Sequence, residues 1–120
     1  MSIKELYKRK LTVSEVIDIA EVFNSDEINI FEVFPYLYGY SDNPIALDTV
    51  CYLDAPPNID DDQELFPKFV LENRLNVICT GEVFIDVYDY IVETTENFSK
   101  ENFIRCINHY LEYDDFLDID

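Results

Sequence analysis

The stretch LNVICTGEVFIDVYDYIVETTEN (Leu75–Asn97) decides the fold. Leu75–Cys79 is a short apolar run and predicts a strand. Thr80 then offers a hydroxyl to cap a helix. Beyond it, Val83, Phe84, Val87, Tyr88, Ile91 and Val92 recur at helical spacing and give one apolar face. The opposite side of that helix carries Glu82, Asp86, Asp89 and Glu93 in one stripe, and no Lys or Arg occurs between Arg74 and Lys100. Like charges three and four apart repel, at about 0.2–0.5 kcal/mol for each pair. Glu82 sits where the helix dipole favours an acid, whereas Glu93 and Glu96 sit where it disfavours one.

Other elements follow outward from this stretch. Leu11–Phe23 predicts a helix with Val13, Val16, Ile17, Ala20 and Phe23 on its inner side, ended by Asn24-Ser25-Asp26. Asn29–Leu37 predicts a strand, short or at an edge because of Pro35. Tyr38–Pro44 is expected as a turn region. Leu47–Leu53 is the clearest strand, stopped by Pro56-Pro57. Asn58–Asp62 is expected as an acidic loop, and Gln63–Asn73 as a short helix with Pro67 near its start or kinking it.

The last helix begins at Ser99. Phe98 before this cap and Phe103 inside the helix form a hydrophobic staple. Its apolar stripe runs through Ile104, Ile107, Tyr110 and Leu111 to about Asp114. Strands in the first half with helices at both ends predict an α+β fold: a small, mostly antiparallel sheet packed with about four helices. Residues 1–120 are expected to form a single globular domain.

The charge is lopsided. The chain carries 26 acids and 8 bases, for a net of −18. Residues 1–10 hold four of those bases and one acid, so the remainder is more acidic still. Nine Phe and nine Tyr exclude a disordered acidic tail, so the charge lies on a folded body. Such a surface repels nucleic acid and anionic membrane, and it attracts basic proteins. The same charge also serves solubility, and the row on the helix is also what a solvated face would present.

Three cysteines, Cys51, Cys79 and Cys106, stand apart in apolar surroundings, as small core residues of a reducing compartment do. The basic N-terminus has no following apolar region and no run approaches a membrane span, so a cytoplasmic protein is expected.

Motifs for chemistry are scarce. His109 is the only histidine, three residues after Cys106, and scattered thiols with one imidazole do not match a zinc site. Two glycines leave no phosphate loop. Asp60-Asp61-Asp62 with Glu64 lacks the glycine and the distal glutamate of a calcium loop. An acid–base carboxylate needs a pocket that no motif here marks. No cofactor, metal or enzymatic activity is expected.

The segments LDTVCYLDAPPNIDDD, LFPKFVLENRLNVICTGEVFIDVYDYIV and NFIRCINHYLEYDDFLDI together resemble a family of small acidic bacterial proteins. That family combines a strand ending in Leu-Asp, an acidic loop, a strand and helix, and a terminal helix closing on a Tyr/Asp-rich segment, here Tyr113-Asp114-Asp115-Phe116. The resemblance covers roughly residues 46–118. Such proteins are similar to immunity proteins encoded beside bacterial toxins, including those of contact-dependent growth inhibition systems.

The resemblance implies an inhibitor that occludes a cognate, basic toxin domain such as a nuclease. The docking residues would be Asp60, Asp61, Asp62, Glu64, Glu82, Asp86, Asp89 and Glu93, with Tyr90 as an anchor. The alternatives are a nucleic-acid mimic that blocks a DNA-binding enzyme, and a general acidic interaction module.

Overall fold

A computed structural model describes residues 3–25, 34–40, 44–95 and 98–117. It is an α+β fold with a four-stranded antiparallel sheet, a two-stranded ribbon and four α-helices. The sheet contains β1 (Lys10–Thr12), β2 (Tyr36–Gly39), β3 (Val50–Asp54) and β6 (Asn76–Cys79), in the order β1-β3-β2-β6. The ribbon is β4 (Asn58–Asp60) with β5 (Gln63–Leu65). The helices are α1 (Val13–Ser25), α2 (Lys68–Glu72), α3 (Gly81–Thr94) and α4 (Lys100–Tyr113), and a 3-10 turn covers Ile3–Leu6.

Alternation along the strands assigns the two faces of the sheet. Leu37, Cys51, Leu53 and Cys79 point to one face, where α1, α3 and α4 bury Val13, Ile17, Phe84, Ile91, Phe103 and Ile107 with them. Tyr36, Tyr38 and Tyr52 point to the other, packed with Phe66, Phe69, Val70 and Leu75 around α2. Tyr52 meets Phe69 edge-on at 5.7 Å, and Tyr38 meets Phe66 at 6.2 Å.

Both expected caps are present. Thr80 Oγ1 accepts from the Val83 N–H at 3.2 Å, and Ser99 Oγ accepts from the Asn102 N–H at 3.0 Å. The Phe98 and Phe103 rings lie 6.5 Å apart. In α3 the inner face is Phe84, Val87, Tyr88 and Ile91, while Val92 is exposed.

Several boundaries differ from the expectation. Leu11 and Thr12 are strand, not helix. Thr12 Oγ1 accepts from the Glu15 N–H while Glu15 accepts from the Thr12 N–H, a capping box that starts α1 at Val13. Residues 29–33 of the expected first strand lie outside the described residues, as do Asp26 and Glu96. The observed β2 starts only after Pro35, which has no N–H to give a ladder. It continues through Tyr38 and Gly39, which were expected in a turn, and it is central rather than at an edge. Gly39 suits that place: a Cβ there would press on the Ile78 side chain and lie 3.0 Å from the Val50 carbonyl.

The acidic segment is not a loop. Asn58 pairs with Leu65, Ile59 with Glu64 and Asp60 with Gln63. Asp61 (φ 50°) and Asp62 (φ 66°) turn between them, both left-handed as a tight hairpin requires. Residues 63–65 are therefore strand, and the expected helix shrinks to Lys68–Glu72, set by Pro67 at its start.

Candidate functional site

The helix row is presented as its spacing predicts. Glu82, Asp86 and Glu93 are exposed and Asp89 is half-buried. Neither the Lys68–Glu72 ion pair at 3.5 Å nor the Lys100–Asp18 pair at 3.0 Å involves Glu82, Asp86 or Glu93. Lys100, the first base after the row, is turned away to α1, where it also reaches Ser14 Oγ at 2.9 Å. Burial first, then the charges of Glu21 on α1 and Asp89, pushes the Tyr88 hydroxyl above its ordinary pKa.

The second acidic group is the ribbon. All six of its strand residues and both turn residues are exposed, including Asp60, Asp61, Asp62 and Glu64. It also exposes carbon: Ile59 is 68% exposed and Leu65 49%.

Row and ribbon leave the sheet at one end. Leu37 pairs with both Leu53 and Cys79, so β3 and β6 run the same way and finish level with each other. The ribbon follows β3 and α3 follows β6. Gly81 makes the second exit tight, because a Cβ there would overlap the Phe34 carbonyl.

Tyr90 has a different occupation from the one expected. Its hydroxyl donates to the Leu117 carbonyl at 2.9 Å and its ring stacks on Phe116 at 4.6 Å, 15° from parallel. Tyr110 also meets Phe116, at 5.1 Å. Tyr90 therefore clasps the segment after α4, and its ring is not a free anchor.

The sequence reading missed Asp54. This residue ends β3, is 4% exposed, and lies on the Tyr52 face of the sheet, opposite Tyr36 in the register. Its Oδ1 accepts from the Ala55 N–H at 2.8 Å, and its Oδ2 has no hydrogen-bond partner. Tyr38 donates to the Ala55 carbonyl at 2.7 Å. Its hydroxyl is pushed well above the ordinary range by burial first, then by the charges of Asp54, Tyr36 and Glu64. The available signal was the alternation Tyr52, Asp54: an acid two residues along from an inward tyrosine shares its face.

The remaining chemistry is muted. Cys51, Cys79 and Cys106 are free and buried. Burial pushes the Cys51 and Cys79 thiols up to about 12, with Glu15 adding to the first and the Phe84 N–H opposing the second. His109 packs on Tyr113 at 4.7 Å while Cys106 faces the core. Among the described residues no group of three or more His, Cys, Asp or Glu is arranged to hold a metal, and no helix is long and apolar enough to cross a membrane.

A family model described as a domain of unknown function (DUF7716) matches residues 7–119, and the chain belongs to that family. No curated protein and no solved structure matches it.

Proposed function

We propose that this member of the DUF7716 family is an immunity protein of the bacterial cytoplasm that docks a basic toxin domain and covers its active site. The observation that carries the reading is the outward row of Glu82, Asp86 and Glu93, which neither of those ion pairs involves. The ribbon, leaving the same end of the sheet with Ile59 and Leu65 beside its carboxylates, adds the apolar contact that charge alone lacks. Long-range attraction speeds encounter, and buried carbon and hydrogen bonds hold the complex.

The test is whether a large exported protein is encoded immediately upstream of this gene and, where it is, binding to its C-terminal domain. The expected result is a one-to-one complex whose association slows steeply with salt, and growth rescue when both are expressed together. Replacing Glu82, Asp86, Asp89 and Glu93 by Gln or Asn should slow association at least tenfold. Absence of a complex, or equal binding to unrelated basic or DNA-binding proteins, would overturn the proposal; the latter result is what a nucleic-acid mimic gives.

A further inference from the structure

Asp54 is the one buried polar side-chain atom among the described residues that the fold leaves unbonded. A carboxylate oxygen out of water without a donor is costly, so a donor is expected to complete it. Two donors beside it are committed elsewhere. The Ala55 N–H is on Oδ1 and the Tyr38 hydroxyl is on the Ala55 carbonyl. Lys8 gives its N–H to the Leu53 carbonyl next door, and its side chain is exposed.

The surroundings select the missing donor. Asp54 ends β3 and the ribbon begins at Asn58, so the buried carboxylate lies at the ribbon's root; Glu64, paired with Ile59 in the ribbon, adds its charge to that of Asp54 at the Tyr38 hydroxyl. Tyr36 stands directly across from Asp54, and its ring is 5.9 Å from that of Tyr38. The stalk leading to the ribbon, Ala55-Pro56-Pro57, is only half-buried. Aromatic faces beside two carboxylates suit a planar, weakly hydrated cation with several donors; an ammonium fits less well.

We infer that Asp54, Tyr36 and Glu64 form a receptor at the ribbon root for one arginine side chain of the basic partner. This rests on the reading of the acidic surface as a face for a basic protein, and it adds the group recognised there. The guanidinium would complete Asp54 Oδ2, with Glu64 at the rim.

Nuclear magnetic resonance titration with Nα-acetyl-arginine methylamide, and with the lysine analogue as control, tests it on the intact chain. The arginine probe should give a saturable shift of the Asp54 carboxyl carbon and of the Tyr36, Ala55 and Glu64 amides. The lysine probe should bind at least fivefold more weakly. Asp54→Asn should weaken the arginine response at least tenfold, whereas the triple change E82Q/D86N/E93Q should leave it intact. An unmoved Asp54 carbon, equal response to both probes, or an unchanged response in Asp54→Asn would overturn the receptor. The carboxyl carbon is read on the native protein, so the test decides even if Asp54→Asn does not fold. Failure here with salt-dependent toxin binding retained removes the receptor alone; loss of toxin binding removes the reading beneath it.

Discussion

Asn108, on α4, makes both amide hydrogen bonds to the backbone of a single residue, Ile45. Its Oδ1 accepts from the Ile45 N–H at 2.8 Å, and its Nδ2 donates to the Ile45 carbonyl at 2.8 Å. The segment leading into β3 is thereby fixed to the last helix across 63 positions of sequence. Asn108→Ala strands both backbone groups in a partly buried site and should cost about 2–3 kcal/mol. Urea unfolding checks this, and Asn108→Asp should cost a similar amount because it removes the donor.

Gly81→Ala should destabilise by about 2–4 kcal/mol although alanine favours helices. The added methyl would meet the Phe34 and Pro35 carbonyls, which are main chain and cannot rotate aside. A thermal melt showing stability unchanged or raised would contradict the tight exit from β6 into α3.

The thiols tie stability to high pH. Folded Cys51 and Cys79 hold their protons up to about 12, against an ordinary value of 9.0. The folded state therefore binds more protons than the unfolded chain between these limits. This stabilisation is complete below pH 9 and is lost as pH rises. Unfolding free energy should fall by on the order of 2–3 kcal/mol between pH 8 and 10, for two thiols. At pH 8 a thiol-specific disulfide reagent should label neither residue until denaturant is added.

Salt should stabilise this protein. Raising sodium chloride from about 20 mM to about 0.5 M screens the repulsion within the α3 row and across the surface. The row alone accounts for roughly 1 kcal/mol, so the melting temperature should rise by about 3–5 °C. The triple change E82Q/D86N/E93Q should raise the low-salt melting temperature and flatten its salt dependence.

Those four expectations draw unequally on what the sequence displays. The row on α3 was legible because a capped amphipathic helix fixes the direction of every side chain. Thr80, Ser99 and the pair Phe98–Phe103 announced their helices through hydrogen bonds and contacts that are local in sequence. The start of α1 is equally local, in the capping box of Thr12 and Glu15. Ribbon residues 58–65 hid their pairing because its turn is Asp-Asp where Asn-Gly would normally signal it. Asp54, Tyr90 and Asn108 were not legible as a site or a clasp, because Tyr36, Leu117 and Ile45 reach them only through the tertiary fold.

The ribbon's turn also limits how this chain can be improved. Asp61 and Asp62 hold left-handed backbone that costs an L-residue free energy, and they set two like charges side by side. Asp61→Asn with Asp62→Gly would relax the backbone and remove that repulsion. Any search for a sturdier variant will therefore be drawn to these two positions. Each success there would bleach the tip of its negative potential. Thermal robustness and the reach of the ribbon's electric field pull against each other at a single peptide unit.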